Sequence, residues 1–279
     1  MKNGDYASPV REEGFAGLGD YAAIGEGRSV ALIAPDGAID WWCAPNLDSP
    51  PLFDRLLDPD IGGFFALTPV EPYRMARRYR EESNVLETCF TTDQGEVRLT
   101  ESLNSTLAGR LPWSELARRV EGVRGSVKLK LHLRFGTVAE TRSPWMGETT
   151  QGNVFHIGDI MAMLRTSDDV QITHMDDEQV IAELITQQDS RSLVALLITQ
   201  REPLAVPDLD AIDTRIETSH TAWQDWCKSL SYEGEYKDHV KRSALSLKFL
   251  WYSPTGALAA AATTSLPEGI GGEKNYDYR

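Results

Sequence analysis

The sequence predicts a mainly β chain: one large antiparallel β-sandwich followed by two helices. Three observations carry that expectation. Residues 126–135, SVKLKLHLRF, alternate strictly, with Val127, Leu129, Leu131, Leu133 and Phe135 on one side and Lys128, Lys130, His132 and Arg134 on the other. A strand with one dry and one wet face belongs to a sheet covered on one side. Between residues 61 and 200, short strand-like runs bounded by turn residues recur at intervals of roughly 8 to 12 residues. At Pro207-Asp208 the apolar spacing switches from a period of two to a helical one.

Taken in order, residues 1–27 are rich in glycine and read as loop. Gly17-Leu18-Gly19-Asp20 mimics part of a dinucleotide fingerprint, but neither a strand before it nor an amphipathic helix after it supplies the required setting. Residues 28–43 form a hairpin, RSVALIA and AIDWWC joined at Pro35-Asp36-Gly37. A proline-rich loop follows the tryptophan pair. Further strands are expected at 61–68, 74–80, 83–92, 96–103, 113–122, 126–135, 154–157, 160–166, 170–174, 179–186 and 192–200, with a turn at Asp93-Gln94-Gly95-Glu96. The first helix, 208–230, opens with acidic residues and repeats Ile212, Ile216, Trp223 and Trp226. Its expected role is a connector lying against the sandwich. The second, 236–252, puts Val240, Ala244, Leu247 and Trp251 on one stripe, widened by Leu245 and Phe249. It is therefore expected to pack on more than one side.

Composition excludes several functions. The 279 residues hold 41% hydrophobic and 25% charged side chains, as in an ordinary globular protein. A net charge of −14 argues against a nucleic-acid partner, which calls for a basic surface. No apolar run approaches the roughly 20 residues that span a bilayer. The amino terminus lacks the apolar core of a secretory signal, so a cytoplasmic location is expected. Cys43, Cys89 and Cys227 fit no zinc or redox spacing and read as buried free thiols. The five histidines form no ligand pattern, no Ser sits in a nucleophile elbow, and no cofactor or metal is expected. The acidic runs Asp168-Asp169 and Asp176-Asp177-Glu178 read as solvated turns. The sequon at Asn104-Ser105-Thr106 carries no meaning in a protein that is not secreted.

Two stretches draw attention as candidate sites. Asp40, Trp41 and Trp42, leading into the loop that holds Asp48, read either as core plus surface loop or as one wall of a carbohydrate site. Indoles stack on the C–H faces of sugars and carboxylates accept their hydroxyls. The second stretch is 254–279, where small residues, glycines and a polar-aromatic ending combine rings with donors and acceptors. This stretch, PTGALAAAATTSLPEGIGGEKNYDYR, resembles the opening of the catalytic domain of glycoside hydrolase family 15, the glucoamylase and trehalase-like group. Residues 24–57, IGEGRSVALIAPDGAIDWWCAPNLDSPPLFDRLL, resemble the start of its bacterial members.

The resemblance implies an amino-terminal β-sandwich over 1–206, a connector helix over 207–235, and the first helix of an (α/α)6 barrel within 236–279. It implies an inverting hydrolase of α-glucosides such as trehalose or malto-oligosaccharides. In such enzymes two carboxyl groups stand roughly 6.5 to 9.5 Å apart. The family draws both from barrel segments beyond Arg279, so the chain alone is expected to be inactive. The alternative is a non-catalytic module that binds carbohydrate or supports the barrel. By the same resemblance Tyr278 lines the subsite for the non-reducing glucose, and Asp277 and Asn275 shape its turn. Arg279 is not the family's substrate-gripping arginine. Thr264 and Ser265 either belong to the pocket-side segment or cap a helix, and Trp41, Asp40 and Asp48 become candidate rim residues. An unpaired barrel helix would also favour self-association.

Overall fold

A computed structural model describes residues 6–106, 109–136, 138 and 143–263. Nineteen strands and two α-helices follow one another in these residues. The first strands are β1 (Ala22–Gly25), β2 (Val30–Ile33), β3 (Ile39–Cys43), β4 (Pro51–Asp54), β5 (Phe64–Pro69), β6 (Arg74–Tyr79), β7 (Leu86–Thr91) and β8 (Gly95–Leu103). After two short strands, β9 (Ser105–Thr106) and β10 (Gly109–Arg110), comes the long β11 (Ser114–Arg134). Then follow β12 (Trp145–Thr149), β13 (Gly152–Ile157), β14 (Ile160–Thr166), β15 (Gln171–Met175), β16 (Gln179–Gln187) and β17 (Arg191–Gln200). Helices α1 (Leu209–Lys228) and α2 (Lys237–Leu250) close the series, ahead of the small hairpin β18 (Trp251–Tyr252) and β19 (Ala257–Leu258).

The expected sandwich is present, and β11 is its axis. The first half of β11 pairs antiparallel with β8 and β17, in the layer that also holds β6, β7, β14, β13 and β12. Its second half pairs with β5 and β16, in the layer of β1, β2, β3, β4 and β15. The sequence reads as two strands here, 113–122 and 126–135, because Gly122 and Gly125 look like turn signals. They are instead the hinge of one strand: the register with β8 shifts between Gly122 and Arg124, and Gly125 sits at φ +63°. Such a bulge bends a strand without ending it. A Cβ on Gly122 would come within 1.8 Å of the Gln187 carbonyl oxygen, so only glycine fits.

Between the layers lies one apolar core, with Trp42, Phe53, Phe65, Phe90, Leu116, Val120, Leu131, Phe135 and Phe155 among its members. Phe135 stacks on Phe53 at 6.5 Å between ring centroids and lies tilted against Phe155 at 5.0 Å. The three cysteines are buried and form no disulfide. Asn104 of the sequon is also buried, its amide donating to Glu115 and to the Ile212 carbonyl.

Helix α1 lies on the outside of the β8–β11–β17 layer. Ile212 and Ile216 enter a second cluster with Val85, Ala117, Leu193, Ala195 and Leu197. Charge fixes its register: Arg119 reaches Asp213 at 2.6 Å and Glu217 at 2.6 Å, while Arg215 reaches the buried Glu115 at 2.6 Å. Helix α2 is covered on one side and open on the other, as expected of a barrel helix without its neighbours. Of the stripe Val240, Ala244, Leu247 and Trp251, the residues Val240, Leu247 and Trp251 are exposed, Leu247 by 55%. The flanking Leu245 and Phe249 are the ones buried. The helix is turned so that its narrower apolar edge meets the sandwich. Among the described residues no helix is long and apolar enough to cross a membrane.

Two histidines are expected to make the fold sensitive to acid. His132 is pushed below its ordinary range by burial, against a hydrogen bond from its ring to Gln179 at 3.0 Å. His220 on α1 is pushed down by burial and then by the charge of Arg80. A histidine depressed in the folded state contributes stability above its unfolded pKa of about 6.5, and that stability is lost as pH falls. The melting temperature is therefore expected to drop between pH 7 and pH 5, and less steeply in His132→Gln/His220→Gln. Equal slopes in variant and parent would refute the assignment.

Candidate functional site

The tryptophan pair owes its placement to a bulge. Leu32 of β2 faces Trp41, but Ile33 faces Ile39, so Asp40 is an extra residue in β3. Ile39 and Trp42 turn into the core. Trp42 lies 6.0 Å from Phe53, and its Nε1 donates to Ser29 Oγ at 3.1 Å. Trp41 turns the other way and donates from Nε1 to the Ala262 carbonyl at 3.1 Å. Both indoles are fully buried. Strict alternation cannot foresee this, because all five residues of β3 are covered.

Asp40 is buried too, in a ring of charge. It accepts from Arg11 Nη1 at 2.8 Å and from the Tyr21 hydroxyl at 2.7 Å, with Arg55 Nη1 at 3.8 Å. Arg11 also grips Asp36 through Nε and Nη2. Burial, followed by the charge of Asp40, pushes the Tyr21 phenol well above its ordinary range. Burial, and then repulsion from Arg11, holds Arg55 below its own. The structure thus separates the candidate rim residues: Asp40 and Trp41 are covered, while Asp48 is exposed. Thr264, Ser265, Asn275, Asp277, Tyr278 and Arg279 lie outside the described residues.

What the structure brings together is the β1–β2 turn, the end of α2 and the chain that follows it. Phe249 packs on Val30 and Leu47, with Trp223, Tyr252, Ala259 and Ala262 around them. Gly25 has a steric reason: a Cβ there would lie 2.8 Å from Phe249 Cβ. Gly27, at φ +87°, makes the left-handed turn whose carbonyl accepts from Ser253 N at 2.7 Å. Asn84 Nδ2 donates to the Leu245 carbonyl at 3.0 Å, and the Arg242 guanidinium lies 4.1 Å above the Tyr79 ring. Gly25→Ala is expected to cost about 1–3 kcal/mol, as overpacking does, and to speed hydrogen exchange in α2 ahead of the sheets. Uniform acceleration through the whole chain would count against a local effect.

Inside this turn sit two charges that the sequence did not single out, Glu26 and Arg28. Glu26 Oε1 accepts from Ser29 N at 3.0 Å and Ser29 Oγ at 3.1 Å, and its Oε2 lies 3.7 Å from Arg28 Nε. Burial pushes the Glu26 carboxyl upward, against the pull of Arg28. A glutamate between two glycines, with an arginine directly after them, was the available signal, easily taken for a solvated tip.

Residues 14–150 match the profile described as trehalase-like, N-terminal. Over those residues the chain is similar to a trehalase-like amino-terminal domain. It is 30% identical over 276 residues to a trehalase of Thermoplasma volcanium, which covers 98% of this chain and 44% of that protein. With a trehalase of Thermoplasma acidophilum the identity is 32% over 252 residues, covering 89% and 42%. With one of Mycobacterium tuberculosis it is 32% over 305 aligned positions, covering 98% and 43%. The chain thus spans less than half the length of these curated relatives. A kojibiose phosphorylase structure from the human microbiome aligns over 82% of this chain and 35% of its own. At 13% identity and a TM-score of 0.34, that likeness is too loose to bear on the fold. The matched trehalase-like region runs from the charge ring through the hinge of β11 to the β12–β13 hairpin.

Proposed function

We propose that the chain is the amino-terminal part of an inverting α-glucoside hydrolase of glycoside hydrolase family 15, acting on trehalose or a short malto-oligosaccharide. The observation that carries this reading is the similarity to trehalases along 98% of the chain, in proteins more than twice as long. The general acid and base are assigned to sequence carboxy-terminal to this chain. The part of the sandwich is to hold the segment that leads there. Trp41 anchors that segment through the Ala262 carbonyl, and Tyr278 and Asp277 belong to the sugar subsite it approaches. Asp48, being exposed, is the rim residue free to meet a ligand.

The purified 279-residue chain is expected to release no glucose from trehalose or maltose. The same chain continued to the length of its trehalase relatives is expected to release it, with inversion at the anomeric carbon. Release by the short chain, or none by the long one, would sink the proposal.

A second role is favoured by α2. Its exposed Val240 and Leu247, with Trp251 directly after the helix, form an apolar stripe, which we assign as the face that the remaining barrel helices cover. In the isolated chain this stripe is expected to bind an apolar dye and to promote self-association, and Leu247→Glu is expected to reduce both. Unchanged dye binding and sedimentation in that variant would remove the assignment.

A further inference from the structure

A pocket of about 270 Å³ opens beside the β1–β2 turn, where five separate segments of the chain meet. Arg28 comes from that turn, Asn46 from the β3–β4 loop, Trp113 from just before β11, Gln200 from the end of β17 and Glu202 from just after it, and Tyr252 from β18. We propose that this pocket binds one uncharged hexopyranose ring, as a free sugar or as the end of an α-glucoside.

The walls are two aromatic rings held in place before any ligand arrives. Trp113 donates from Nε1 to Glu115 Oε2 at 3.1 Å, and the Arg215 guanidinium lies 5.8 Å from its ring. Glu115 is itself fully buried and gripped by both Arg215 Nε and Nη2, so the indole cannot swing. The second ring is held as well: the Tyr252 hydroxyl donates to Asn46 Oδ1 at 2.9 Å. Fixed rings bind with less ordering cost than mobile ones, and flat C–H faces of a pyranose stack on them.

Between the walls stand planar polar groups of the kind that meet vicinal hydroxyls. The bond from Tyr252 leaves the Asn46 amide nitrogen as a donor. Gln200 donates from Nε2 to Asp159 Oδ2 at 3.0 Å, which orients its carbonyl oxygen as an acceptor. Arg28 is buried, is tied to Ser114 Oγ at 3.2 Å, and has an Nε with no hydrogen-bond partner among the described residues. The Glu26 carboxyl group at 3.7 Å is too far to accept a hydrogen bond from it, so a ligand hydroxyl would supply one that this buried donor lacks.

Charge decides against an anion. The cation in the lining, Arg28, already has Glu26 at 3.7 Å from its Nε, and Glu202 adds a carboxyl group to the lining, so a phosphate or carboxylate would find no uncompensated positive charge. The volume is below the range of about 300–1,000 Å³ typical of drug-sized ligands, which suits a single ring. This assignment needs no acid or base, and it stands or falls apart from the hydrolase reading.

The test titrates the 279-residue chain with glucose, trehalose, maltose and glucose 6-phosphate, followed by tryptophan fluorescence and calorimetry. Saturable binding of at least one neutral sugar near the millimolar range is expected, about 4 kcal/mol of affinity. Gln200→Ala/Glu202→Ala should weaken it at least tenfold with an unchanged melting temperature, and glucose 6-phosphate should bind more weakly than glucose. Absence of saturable binding by any neutral sugar overturns the proposal. So does binding indifferent to the double variant, which would place the sugar elsewhere, or a preference for the phosphorylated sugar. Failure here with intact glucose release by the longer chain would leave the hydrolase reading untouched.

Discussion

Arg118→Met is expected to lower the stability of the chain by about 3–5 kcal/mol, the range found when one partner of a buried ion pair is removed. Arg118 and Glu101 are opposed across β11 and β8, and neither side chain is exposed. Arg118 shares the inward side of β11 with the core residues Leu116 and Val120, and so points between the layers. There it donates from Nε to Glu101 Oε1 at 3.0 Å and from Nη1 to the Phe65 carbonyl at 2.8 Å, with Nη2 on the Gly37 carbonyl. One guanidinium thus ties a strand of one layer to a strand and a turn of the other. Burial raises the Glu101 carboxyl and Arg118 counters it, so without the arginine Glu101 must take up a proton or remain an uncompensated charge. At about 2–4 °C per kcal/mol for chains approaching this size, the melting temperature should fall by roughly 6–20 °C. Glu101→Leu/Arg118→Met should recover a large part of the loss, because both charges go together. A double variant no more stable than Arg118→Met would show that the carbonyl contacts, not the ion pair, carry the effect.

Trp42→Ala is expected to cost about 3–5 kcal/mol, the sum of lost transfer energy and the cavity left among Phe53, Leu52 and Ile33. Ser29 Oγ loses a donor as well. Trp41→Ala, one residue away, should act differently. Trp41 lies outside the inter-layer cluster and holds the segment after α2 through the Ala262 carbonyl. Its loss should therefore expose the residues after α2 to protease at a denaturant concentration where the sheets stay folded. Denaturant midpoints for both variants, with limited proteolysis of each, separate the two. Identical proteolysis patterns would mean that the bulge at Asp40 does not divide the roles of the two indoles.

The sandwich was legible because its signals are local. The alternation in 126–135 needs no partner to be read, and the hairpin at Pro35-Asp36-Gly37 announces itself by turn chemistry. The two helices fell within a residue or two of their expected limits. What escaped depended on distant segments. Arg118 and Arg119 are adjacent in sequence, yet one enters the core and the other meets α1. Only the positions of Glu101, Asp213 and Glu217 explain which goes where. The exposed stripe of α2 was read as a packing face because apolar periodicity says that a face will be covered and not by what. The tryptophan pair drew attention as a sugar wall, while the rings of Trp113 and Tyr252 did not, since their pocket is assembled from five remote segments.

A single bent strand serving both layers has a consequence for how the chain comes off the ribosome. The upper half of β11 has β17 as a neighbour and the lower half has β16, so both sheets wait for residues 179–200. Residues up to about 200 must therefore emerge before either half of the sandwich can be sealed. Until then the faces of β5, β8 and β11 stand open together, the interval in which a nascent chain of this topology most needs a chaperone.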